Sequence, residues 1–280
     1  MKYHLNIQRM ENKGLTLDSL INELKNNSAQ ITKGSYTFKE LSHKQQRKIL
    51  NGNFDAVEIP AKIANIYSEY LNESVILNDD AVDLSRIITL ETKPYFINIL
   101  RTVSFGKTYY IKGKAYEFYS VTDNDLIPKA KPHTICANKF KINLAVPTLY
   151  DDIRYNNLIV NALGPLKNKD INKINVGSVT DLYQTYELLK YIVSFEFNDT
   201  VYIFNRYSIQ DRIKFLNNLS QLTVEEIKKY IKDNTKKAEE IAMTAVSTES
   251  GEKIVADINT IFFSSTIHKE ESEEDEEEEQ

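Results

Sequence analysis

Residues 195–204 read FEFNDTVYIF, two alternating apolar runs broken by Asn198-Asp199. Side chains alternate across a strand with period two, and a two-residue turn favours residues that tolerate positive φ, so the segment predicts a tight antiparallel hairpin. It lies between two helix signatures. Upstream, Val179, Leu182, Tyr183, Tyr186, Leu189 and Ile192 recur at helical spacing, with Ser178 and Asp181 at the expected start. Downstream, Ser208 and Asp211 cap a helix whose Ile209, Ile213 and Leu216 face one way. No βαβ rhythm appears around this hairpin or elsewhere. The expected class is therefore α+β, with helices interleaved with antiparallel hairpins.

The rest of the chain repeats these signals. Residues 1–30 hold a polar strand candidate and then a helix with Leu17, Leu20, Ile21 and Leu24 on one face. Residues 31–38 have strand character. Ser42 and Gln45 form a capping box for a short helix that Asn51-Gly52-Asn53 stops. A longer helix opens at Ile59-Pro60 and carries Ile63, Ile66, Tyr67, Tyr70 and Leu71. Leu84 to Val103 is the most apolar stretch and reads as a buried helix, with Pro94 either kinking it or starting it and Gly106 stopping it. Lys107 to Val121 reads as a hairpin turning at Gly113, and 122–137 as a loop containing Pro128 and Pro132. Lys139 to Val146 alternates like a strand. Thr148 and Asp151 open a helix that ends at Gly164-Pro165, before a polar linker over 166–177. Thr223 with Glu226 suggests a capping box, and Leu222 with Ile227 a hydrophobic staple. EIAMTAV (240–246) and KIVADI (253–258) form a C-terminal hairpin.

Charge divides the chain unevenly. Net charge is −5, yet residues 270–280 read EESEEDEEEEQ and hold nine of the 40 acidic groups. The remaining residues carry 35 Lys and Arg against 31 Asp and Glu, a mildly basic body at +4. A like-charge run of this density repels itself and buries nothing, so it is expected to be disordered. It solubilises the chain or attracts a basic partner. The expected organisation is an N-terminal helix segment (1–30), an N-terminal subdomain (31–130), a C-terminal subdomain (131–237), a β-hairpin (238–268) and the acidic tail (269–280). No run of eighteen apolar residues exists and the N-terminus lacks an apolar targeting core, so neither a membrane span nor a secretory signal is expected.

Chemical motifs are sparse. Gly106-Lys107-Thr108 resembles the end of a phosphate loop, but Arg101 stands where the first glycine belongs and a strand follows where a helix is needed. His133 and Cys136 supply two metal ligands where zinc needs three or four, and the single cysteine excludes an internal disulfide. Asp123-Asn124-Asp125 begins like a calcium loop but lacks its later glycine and glutamate, and reads as a turn. No G-x-S-x-G elbow is present. Lysines occur in short doublets such as Lys228-Lys229 and Lys236-Lys237, and the acidic tail opposes phosphate binding. The 17 tyrosines fall mostly on apolar helix faces, where they serve a core or a protein interface better than base stacking. No catalytic residue, metal or cofactor is expected, and neither nucleic acid nor a small-molecule substrate.

Several segments in order resemble the baseplate hub assembly family of T-even-type contractile-tailed bacteriophages. They are TFKELSHKQQRKIL (37–50), ITLETKPYFINILRTVSFG (88–106), INLAVPTLY (142–150), VTDLYQTYELLKYI (179–192) and the run from Ile209 through 224–232, spread over roughly residues 35–263. Some members of that family carry a cysteine-based zinc ribbon before a closing phenylalanine pair; here the hairpin and Phe262-Phe263 remain without the cysteines. The acidic tail also departs from the family pattern. The resemblance implies a non-enzymatic protein that binds other tail or baseplate proteins, located in the host cytoplasm during assembly and in the virion tail if retained. On that reading Phe262, Phe263 and the tail residues Glu273, Glu274, Asp275, Glu276 and Glu277 are the candidate partner contacts. The alternative is an enzyme or nucleic-acid-processing factor whose site forms only in the fold.

Overall fold

Antiparallel pairing and helix packing alternate along the chain in a computed structural model, which describes residues 28–50, 55–77, 83–111, 113–137, 139–166, 175–258 and 261–262. The helix expected before residue 28 lies outside the described residues. The first sheet, in the order β1-β2-β3, joins β1 (Gln30–Lys33) and β2 (Tyr36–Lys39) to β3 (Val75–Leu77), with α1 (His43–Leu50) and α2 (Ile59–Ser74) between. Ser42 starts α1 as the sequence implies: its amide and hydroxyl both donate to Gln45 Oε1 at 2.8 Å.

The apolar stretch from Leu84 divides in two. A single 3-10 turn (Leu84–Arg86) is followed by an extended link, and α3 runs over Lys93–Phe105. Thr89 bridges antiparallel to Thr148 instead of continuing a helix, and Leu90 N donates to Pro147 O at 2.9 Å. Pro94 thus begins α3, where its missing N–H costs nothing, and introduces no kink. Gly106 ends the helix at φ 82°, a conformation that a side chain disfavours.

The second sheet has the order β11-β10-β5-β4, with β4 (Thr108–Ile111) and β5 (Lys114–Phe118) from mid-chain and β10 (Thr244–Ser247) and β11 (Lys253–Val255) from the C-terminal hairpin. Ala245 pairs with Phe118, so the hairpin is built into the N-terminal half. Residues 240–242, expected as strand, complete a helix instead, and Met243 is its C-cap. α7 (Gln221–Ile231) runs through a π-helical turn (Lys232–Lys236) into α8 (Lys237–Ala242), and β10 begins only at Thr244. The third sheet, β6-β7-β8-β9, comprises β6 (His133–Ala137), β7 (Phe140–Leu144), β8 (Ile192–Phe197) and β9 (Thr200–Ile203). β6 and a capped 3-10 turn at Asp123–Leu126 occupy the region expected to be loop. Asn198 and Asp199, at φ 48° and 59°, form the expected tight turn.

α4 (Leu149–Leu163) and α5 (Val176–Tyr191) pack beside α2 and the third sheet, and α6 (Ile209–Asn217) follows β9. Thr148 and Asp151 cap α4, and Ser208 caps α6, as expected. Two other starts shift upstream. Asn175 caps α5 by accepting from Ser178 N at 3.3 Å, and Ser220 caps α7 by accepting from Thr223 N at 3.2 Å. Leu222 is 79% exposed, so it staples nothing. In each case a side-chain acceptor three residues before the expected cap starts the helix about one turn earlier. One continuous buried cluster runs from Phe38 to Phe262 through both halves of the chain, and among the described residues nine tyrosines are buried in it. No helix among the described residues is long and apolar enough to cross a membrane.

Candidate functional site

Four helices meet around one buried carboxylate. Asp152, in the first turn of α4, faces Lys93 at the start of α3 and Lys190 near the end of α5. Lys93 Nζ lies 2.8 Å from Asp152 Oδ2, and Lys190 Nζ lies 3.0 Å from Oδ1. Lys190 also meets Glu187 Oε2 at 2.5 Å, and Lys93 donates to Ala64 O of α2 at 3.4 Å. Burial works against the charge on Asp152, but the two ammonium groups outweigh it and hold the carboxyl well below the usual carboxylate range. Burial likewise works against the charge on Lys190, and Asp152 with Glu187 overcomes it, raising the lysine above its ordinary value. Proton transfer at neutral pH wants a group titrating near 7. Asp152 and Lys190 are both driven away from that range, and the ion pairs hold their charges in place.

Two buried guanidinium groups serve backbone and aromatic partners. Arg101 is fully buried; it donates to Gly106 O and, at 2.8 Å, to Thr108 O, with its guanidinium 5.1 Å from the Phe118 ring centre. Burial lowers its pKa to about 10. The residue that spoils the phosphate-loop reading therefore binds the carbonyls that flank Lys107. Arg212 donates to Tyr155 Oη at 2.6 Å and Asn205 Oδ1 at 3.2 Å, and Tyr155 in turn donates to Leu189 O at 3.2 Å.

Glu187 leads from the ionic cluster to the surface. It borders an open groove of about 540 Å³ between α5 and the α7–π-turn segment. Leu188 and Ile231 contribute apolar walls, Tyr183 and Gln184 line the α5 side, and Lys228, Lys232 and Lys236 line the other. No family model, curated protein or solved structure matches the chain.

Residues singled out from sequence are scattered. Phe262 is 6% exposed and packs against Tyr67 and Phe105, with ring centres 5.0 and 6.0 Å away, so its ring is spent on the chain's own core. Phe263 and the tail residues Glu273, Glu274, Asp275, Glu276 and Glu277 lie outside the described residues. His133 and Cys136 both lie on β6, three residues apart and hence on opposite sheet faces; His133 stacks on Tyr230 at 5.9 Å. Among the described residues no group of three or more His, Cys, Asp or Glu side chains is placed to hold a metal. Asp125 is the capping partner of Thr122 in the turn at 123–126. Sequence reasoning missed the ionic cluster. Its signal was a lysine, Lys93, inside the most apolar stretch of the chain, where an unpaired charge is not tolerated.

Proposed function

We propose that the protein is a non-enzymatic baseplate hub assembly or structural protein of a contractile phage tail and acts by binding other tail proteins. The observation that carries this reading is the ordered set of segments that resemble that family. Three of those segments are neighbours in space: 88–106 and 142–150 are joined by the Thr89–Thr148 bridge, and Lys93 and Lys190, from 88–106 and 179–192, share Asp152. Similarity that falls on mutually packed elements supports a shared core better than similarity in isolated surface pieces. Asp152 and Lys190, the one lowered and the other raised away from neutrality, add no argument for proton-transfer chemistry.

The test is affinity purification of the tagged full-length chain from phage-infected host cells, with mass spectrometry of what accompanies it. Tail or baseplate proteins should co-purify and should be lost from an untagged control. Recovery of none of them, from lysates where tail proteins are abundant, removes the assembly reading.

A further inference from the structure

A second pocket, more closed than the groove beside α5, lies between β1, α3 and β5. It holds about 290 Å³, close to the lower end of ligand-binding cavities at about 300 Å³. Ile31 of β1, Ile99 of α3 and Phe118 of β5 supply apolar walls. Two lysines from separate elements line it as well: Lys33, half-buried at the end of β1, and Lys107, exposed just after α3. The backbone on both sides of Lys107 is held, because Arg101 donates to Gly106 O and Thr108 O.

The ionic groups of this pocket stand apart instead of neutralising one another. Lys33, Lys107 and Glu117, which also lines it, have no ion-pair partner among the described residues. Both ammonium groups therefore keep donors open to a ligand. The surrounding charge is basic: residues 30–40 and 98–123, which build the pocket and its flanks, hold six Lys and Arg against three Asp and Glu. Asn98 lines the pocket from α3 and is 2% exposed. Its Nδ2 donates to Tyr119 O at 3.2 Å and to Ala242 O at 2.6 Å, which uses both N–H groups. Its Oδ1 has one long contact among the described residues, from Thr102 Oγ1 at 3.4 Å. A carboxamide oxygen carries two lone pairs, so this buried one has acceptor capacity to spare.

We infer that this pocket binds a small organic monoanion with an apolar body and a hydrogen-bond donor such as a hydroxyl. Lys33 and Lys107 hold the anionic head, the apolar walls cover the body, and Asn98 Oδ1 accepts from the donor. Glu117 repels a second negative charge on the ligand, which favours a monoanion over a dianion. Convergence of a few polar groups on an apolar cavity is the usual make-up of a small-molecule site. None of these contacts depends on the tail-assembly reading.

Methyl NMR on the full-length chain with 13C-labelled isoleucine tests it, since Ile31 and Ile99 line the pocket and Ile159 of α4 does not. The probe is para-hydroxyphenylpropionate, which joins a carboxylate to a phenol through an apolar body. It should shift the Ile31 and Ile99 methyls saturably, with a Kd of about 1 mM or tighter, and leave Ile159 in place. Phenylpropionate lacks the hydroxyl and should bind about threefold weaker or worse. Tyramine carries the same phenol on a cation and should shift neither methyl. K33Q and K107Q should each raise the Kd about fivefold or more, with the methyl spectrum of the free protein reporting an intact fold. No saturable shift at about 10 mM probe would overturn the inference. So would tyramine binding as tightly as the carboxylate, or K33Q and K107Q both binding like the wild type. Inorganic phosphate or a thymidine oligonucleotide shifting the methyls as strongly as the probe would also overturn it, by making the site a general anion surface.

Discussion

Replacing Asp152 with asparagine removes a charge and little volume, so it isolates the electrostatic role of the buried cluster. In the native protein one carboxylate serves two ammonium groups, at 2.8 and 3.0 Å, with all three side chains less than a tenth exposed. The substitution would leave Lys93 with an amide and a carbonyl as partners, and Lys190 with Glu187 alone. Breaking a buried pair by removing one partner costs about 3–5 kcal/mol, because the remaining charge stays desolvated without compensation. The D152N protein should therefore unfold at a distinctly lower urea midpoint with an unchanged slope. The effect should depend on pH with a definite sign. The carboxyl pKa is depressed on folding, so its contribution is complete above the unfolded value of about 3.9 and is lost as pH falls through the lower folded value. The gap between wild type and D152N should stay constant from pH 7 to about 5 and shrink below about pH 4. The double variant K93M/D152N should be less destabilised than the sum of its parts, since a methionine side chain in place of Lys93 needs no counter-charge. A D152N loss under about 1 kcal/mol, or a gap that keeps its size at pH 3, would refute the claim that this pair is buried and ionised.

Phe262→Ala should cost about 3–5 kcal/mol by leaving a cavity among Tyr67, Tyr70 and Phe105; urea unfolding measures it, and a loss under about 1 kcal/mol would place the ring outside the core. Asp199→Gly should stabilise by up to about 1 kcal/mol, since the residue sits at φ 59° in a two-residue hairpin turn that glycine enters without strain. A midpoint that falls would mean that the Asp199 side chain contributes more than its backbone costs.

How much was legible depended on the range of the interaction. Ser42, Thr148 and Ser208 were readable as helix starts because the acceptor and the N–H it serves lie three residues apart. The same reasoning failed at Ser178 and Thr223 for a local reason: Asn175 and Ser220 offered equivalent acceptors one turn earlier. The strand expected at 240–243 failed for a different one. Residues Ala238 and Ala242 are buried on a helix that continues from α7 through the π turn, so packing there overrides an apolar run that is ambiguous between strand and helix. Phe262 was legible as an important aromatic, but its side of the surface was not, because a terminal apolar pair suits a core and an interface equally well.

By itself the sequence determined the class, the hairpin turn at Asn198-Asp199, the helix starts at Ser42, Pro60, Thr148 and Ser208 and the contrast between a basic body and an acidic tail, since each follows from backbone preferences or charge over a few residues. Tertiary structure alone decided that the C-terminal hairpin joins β5, that Phe262 closes the core, and that Lys93, Asp152 and Lys190 share one site across 59 and 38 residues of chain. Those outcomes depend on which surfaces bury each other once the loops have closed. No local periodicity encodes that choice, because the free energy that decides it comes from desolvation and packing between distant parts of the chain.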